Sequence, residues 1–152
     1  MFRRIFEFFH NIFQYIAVSF QKIFKMIWRQ QINETVINDM GKNTLIETLG
    51  IQILEIGDDF IKASMPVDHR TVQPFRILHG GASVVLAESL GSIGTSLHAG
   101  PHRKIVGVDI NATHHKSATS GLVTGVATAI SLGKTLCSWE IVITNEAGER
   151  TC

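Results

Sequence analysis

The chain has 152 residues, 45% of them hydrophobic, which suits one packed domain. Its net charge of +1 gives no general reason to expect a nucleic-acid partner. Two cysteines, Cys137 and Cys152, with no CxxC between them, exclude a disulfide framework and a zinc site and point to a reduced, cytoplasmic setting.

The average charge hides an asymmetry. Residues 1–30 hold five basic residues against one acidic, and seven of the nine Phe residues fall before residue 25. From Phe2 through Ile5, Phe9, Ile12, Ile16, Phe20 and Ile23 to Ile27, apolar residues recur at helical spacing. The apolar runs are too short and too interrupted to span a bilayer, and no small-residue cleavage site follows a clear apolar core. Residues 1–25 are thus expected to be an amphipathic extension. One reading has it lying in a membrane interface, and the other has it belonging to no packed domain.

Ile32–Met40 reads as a short helix ending at Gly41, and Thr44–Leu49 as a further helical turn. Ile51–Ile56 and Phe60–Met65 read as strands flanking the turn Gly57-Asp58-Asp59, hence a β-hairpin. A loop over 66–74 follows. Gly81–His98 is the strongest helix, stopped by Gly100-Pro101, with Ala82, Leu86, Leu90, Ile93 and Leu97 on one apolar stripe. Three strand candidates come next: Lys104–His114, Gly121–Ser131 and Leu136–Thr144. The order is a hairpin, one buried helix and an antiparallel meander. It makes an α+β protein in which a curved antiparallel sheet wraps one central helix. No repeat or low-complexity segment interrupts it.

Glu88 is out of place on such a helix, because a carboxylate among apolar neighbours is costly unless it is paired, solvated or functional. Gly81, Val85, Glu88 and Ser92 share one face. Gly81 stands at the helix N-terminus, where backbone N–H groups lack partners and the dipole suits a developing oxyanion. Gln73 and His79 lie in the loop just before. These are parts for acyl transfer to water, with the carboxylate as general base or nucleophile. Each has a plainer reading. Glu88 could serve an ion pair, His79 a helix cap, and Ser92 simple packing. There is no nucleophile elbow, dinucleotide fingerprint or P-loop, and the pair His114–His115 lacks metal-ligand spacing.

The segment LHGGASVVLAESLGS, with a Glu seven residues after the second Gly, resembles the hotdog-fold acyl-CoA thioesterases. MPVDHRTVQPF, VGVDINATHHKSA and SLGK bring it nearest to the bacterial 1,4-dihydroxy-2-naphthoyl-CoA hydrolases of menaquinone biosynthesis, with a phenylacetate-pathway thioesterase character. The likeness covers 26–152, and Met26-Ile27-Trp28-Arg29 resembles how such enzymes begin, which favours the non-membrane reading of 1–25. It implies hydrolysis of an acyl-CoA to free acid and CoA without metal or cofactor. Glu88 would be the catalytic carboxylate. The Gly81 N–H would hold the thioester oxygen, His79 would place the thioester and leaving thiolate, and Gln73 and Ser92 would place carboxylate or water. Asn111, His114, Lys116 and Ser117 would meet the CoA moiety. It also implies a homodimer or homotetramer with the site at the subunit interface. Arg76 departs from a usually small or apolar position, and Lys116 from a common Arg. The family's final strand would lie just beyond Cys152, so the domain is expected to lack it. A non-catalytic hotdog domain that binds acyl-CoA is the alternative, and the intact Glu88 argues against it.

Overall fold

Residues 26–152 are described by a computed structural model, so the expected extension over 1–25 lies outside the described residues. Helix formation begins where side chains cap it. Asn33 Oδ1 accepts from the Val36 N–H at 3.0 Å and starts α1 (Glu34–Met40), and Thr44 Oγ1 accepts from the Ile46 N–H and starts α2 (Leu45–Thr48). The hairpin follows as β1 (Gln52–Ile56) and β2 (Phe60–Pro66), antiparallel with Ile53 opposite Ala63. The long helix α3 runs Gly80–Ala99, and β3 (Leu122–Leu132) and β4 (Cys137–Asn145) complete the sheet in the order β1-β2-β3-β4, every neighbour antiparallel. The register slips at Leu54 and Ile130, which leaves both side chains outside the core. One long helix against an antiparallel sheet is the α+β arrangement expected from the residue pattern.

The stripe on α3 does what its spacing predicts. Leu86 and Leu90 are fully buried, with Ala82 and Leu97 beside them, against Ile61, Met65, Val123 and Ile143 of the sheet. Two glycines let the layers meet. A Cβ at Gly125 would stand 2.8 Å from Leu90 Cδ1, and one at Gly94 would stand 2.9 Å from the Trp139 ring. Trp139 then donates from Nε1 to Thr95 Oγ1 at 2.8 Å and stacks on Trp28, ring centroids 5.9 Å apart. Residues 26–30 are tied down at the same end. Trp28 donates to the Gly57 carbonyl, and the Arg29 N–H donates to the Leu97 carbonyl.

The strand expected over Lys104–His114 does not form. The stretch alternates as a strand should, but no described backbone pairs with it until the His115 N–H reaches the Thr151 carbonyl at 2.9 Å. Val106 and Val108 are therefore left 77% and 78% exposed. A strand needs a ladder as well as a pattern, and the pattern alone predicted it. The segment Glu149–Cys152 turns back onto β4, with Thr144 bridging Arg150 and the Thr151 N–H donating to the Ile143 carbonyl at 2.7 Å. Cys137 and Cys152 are both free, and burial pushes the Cys152 thiol up. Among the described residues no helix is long and apolar enough to cross a membrane.

Candidate active site

The loop before α3 folds back on itself as a small hairpin. Thr71 Oγ1 donates to the Pro66 carbonyl at 2.7 Å, Val72 bridges Leu78, and the His79 N–H donates to the Thr71 carbonyl at 2.8 Å. Its tip closes through the Arg76 N–H to the Gln73 carbonyl at 2.8 Å, with Arg76 in the left-handed region at φ 62°. Phe75 projects from that tip, 82% exposed. Asp68 and Arg70 brace the other end through a 2.6 Å ion pair, and the guanidinium holds the Asp68 carboxyl down at about 2.

His79 is the N-cap of α3. Its Nδ1 accepts the Gly81 N–H at 2.8 Å. Two consequences follow. The accepting Nδ1 carries no proton, so a neutral ring has its proton on Nε2. The amide expected to hold a thioester oxygen is already occupied by the cap, so a ligand oxygen there must displace the ring or share the N–H. The plainer reading of His79 thus describes this state of the molecule.

Glu88 lies two turns further along, partly exposed, with no ion pair among the described residues. Ser92 Oγ donates to Glu88 Oε1 at 3.1 Å, the i,i+4 contact that their shared face allows. Seven residues separate Glu88 from Gly81, about 10 Å along the axis, whereas reacting atoms must come within roughly 3.5 Å. Along one helix, then, the donor end and the backbone that carries the carboxylate stand about two turns apart.

A cavity of about 270 Å³ opens at the N-terminus of α3, and Gln73, Gly80, Ser83, His114, Lys116 and Ser117 line it. The structure so brings Gln73 from the loop together with three of the four expected CoA contacts, while His79, Gly81, Glu88, Ser92 and Asn111 lie outside that lining. The His114 ring packs over Gly80 so closely that a Cβ there would stand 2.6 Å from Nε2. Lys116 forms an ion pair with Glu149, which Asn145 Nδ2 also contacts at 2.9 Å. The Lys116 ammonium, with help from Asn145, lowers the Glu149 carboxyl. Two contributors escaped the sequence reading. Glu149 is 33 residues from Lys116, and only the turn after β4 returns it. Ser83 is buried to 2% exposure in the cavity wall, and its signal was the spacing of three from Gly80. No cluster of three or more His, Cys, Asp or Glu side chains able to hold a metal occurs among the described residues.

Comparison with known proteins agrees with this chemistry. The Thioesterase superfamily pattern matches residues 75–152. The proofreading thioesterase EntH of Cronobacter turicensis is 45% identical over 127 residues, covering 84% of this chain and 93% of that protein. A putative esterase of Haemophilus influenzae is 44% identical, covering 84% and 92%. Among solved structures, a thioesterase from Haemophilus influenzae superposes with a TM-score of 0.81 at 44% identity, covering 83% of this chain and 88% of its own. A mutant thioesterase from Pseudomonas aeruginosa superposes at 0.77 and 42% identity, covering 82% and 91%. These names speak for thioester hydrolysis. None carries a naphthoyl or phenylacetyl substrate, so that finer likeness rests on the motif segments alone.

Proposed function

This chain belongs to the thioesterase superfamily and is a thioester hydrolase, and on that premise we propose that it cleaves an aromatic acyl-CoA to free acid and CoA with Glu88 as the catalytic carboxylate. The observation that carries the reading is the Glu88–Ser92 pair, a helix carboxylate without a cationic partner among the described residues and oriented by a hydroxyl. Gly81, at the positive end of α3, is the donor for the thioester oxygen once that oxygen replaces the His79 cap. The displaced ring then stands beside the thioester and its leaving sulfur. Gln73 enters from the loop and orients the attacking water or the thioester. Asn111, His114, Lys116 and Ser117 receive the CoA moiety, with Lys116 exchanging Glu149 for a phosphate.

The rise of about 10 Å along α3 between the Gly81 and Glu88 backbones favours a site shared by two subunits, in which Glu88 of one chain faces Gly81 and Gln73 of another. A homodimer, alone or paired into a tetramer, meets that need, and a cytoplasmic location suits the free cysteines.

Release of CoA from a panel of acyl-CoAs, with 1,4-dihydroxy-2-naphthoyl-CoA among them, tests the reading. Glu88→Ala is expected to lose about 10²–10⁴-fold in kcat, the range for a positioned acid–base group. Unchanged turnover would remove Glu88 from its role. The likeness to the proofreading thioesterase of Cronobacter turicensis supports a second reading, a proofreading enzyme that clears unwanted acyl groups. Similar kcat/KM across many aromatic acyl groups favours proofreading, and one dominant acyl group favours a dedicated hydrolase. Tight binding without turnover across the panel would point instead to a non-catalytic acyl-CoA binder.

A further inference from the structure

Gly107 interrupts a stretch that otherwise reads as strand, Ile105-Val106-Gly107-Val108-Asp109-Ile110. Glycine inside such a run weakens it and commonly marks a close approach of something else to the backbone. The backbone offers no other reason for it here. Gly107 is not among the glycines with positive φ, and the residue is exposed on an unpaired segment, so neither conformation nor core packing demands a missing side chain. What approaches is the Glu88 carboxylate. A Cβ at position 107 would lie 2.4 Å from Glu88 Oε1, 3.1 Å from Cδ and 3.3 Å from Oε2.

We propose that Gly107 is a positioning residue for Glu88: its bare backbone is the wall against which the carboxylate is set. Two constraints meet on the same oxygen. Ser92 Oγ donates to Oε1 at 3.1 Å, and the Gly107 backbone closes the other approach to Oε1. Oε2 is less confined and remains the oxygen presented to the reacting partners. Any side chain at 107 would force the carboxylate into another rotamer, because the flexible glutamate end gives way before the backbone does. The proposal rests on Glu88 acting as the catalytic carboxylate, and it assigns a role to the 104–114 segment that is separate from contact with CoA.

Steady-state kinetics of Gly107→Ala, in the wild-type and in the Glu88→Ala backgrounds, test it on the full chain. In the wild-type background kcat is expected to fall about 10²-fold, the scale of an ångström-size misplacement of a reacting group, with KM and melting temperature little changed. In the Glu88→Ala background the same substitution is expected to change the residual rate by less than about twofold, because its effect passes through the carboxylate that is gone. Wild-type kcat in Gly107→Ala overturns the proposal. So does an equal loss in both backgrounds, or a Gly107→Ala chain that does not fold, since either would make Gly107 a requirement of the segment itself. If Glu88→Ala alone keeps full turnover, the catalytic assignment of Glu88 fails first. If Glu88→Ala is inactive and Gly107→Ala is not impaired, only the positioning role fails.

Discussion

At the scale of single residues, the candidate site is built from groups already engaged with one another, and the proposed function has them exchange partners. The Gly81 N–H serves the His79 cap, and Lys116 serves Glu149. Glu149→Gln should therefore free Lys116 and lower KM for CoA thioesters, whereas Lys116→Ala should raise it. Both changes should be about 2- to 5-fold, the size of an exposed ion pair, and both should shrink as salt is added. KM at low and high ionic strength checks this, and a kcat effect without a KM effect would count against a CoA contact at Lys116. Asp68 offers a pH test. Arg70 depresses its carboxyl from 3.8 to about 2, so the pair adds stability above the ordinary value and loses it as pH falls towards 2. The stability difference between wild type and Arg70→Ala should narrow over that window in thermal melts. The contact between Glu88 and Ser92 was legible in the sequence because one helix carries both and helical spacing is reliable. The occupied state of Gly81 was not, since it depends on the rotamer of a loop histidine.

At the scale of elements, α3 is the part whose sequence and structure agree best. Twenty residues with a continuous apolar stripe leave little choice of which face is buried. Leu86→Ala should cost about 2–5 kcal/mol, since the side chain is fully buried between helix and sheet. Gly125→Ala should cost about 1–3 kcal/mol by overpacking against Leu90 and Leu86. Urea denaturation checks both, and a neutral Gly125→Ala would mean that α3 can shift away from β3 without penalty. The hairpin β1–β2 and the meander β3–β4 were equally readable from alternation and turn residues. The 104–114 segment was not. Its side-chain pattern is that of a strand, but hydrogen-bond partners are supplied by chain remote in sequence, and among the described residues only His115 finds one.

At the scale of the whole molecule, the proposal turns on whether Gly81 and Glu88, about two turns apart on α3, serve the same site or two sites. If two subunits share each site, mixing two inactive chains should restore activity. Co-expressed Glu88→Ala and Gln73→Ala chains should recover about a quarter of wild-type activity, because half of random dimers are mixed and each has one intact site. Recovery at background level would place Gln73 and Glu88 in one chain's own site. The sequence by itself determined the α+β class, the central helix, the carboxylate with its hydroxyl partner, and the resemblance to hotdog thioesterases. These are local or periodic properties, written in consecutive residues and in spacings of two, three and four. Only the tertiary structure decided that the cap closes Gly81, that Glu149 holds Lys116, that Gly107 abuts Glu88, and that the 104–114 stretch stays unpaired. Each of those depends on which distant segment arrives alongside, and no short-range pattern encodes that.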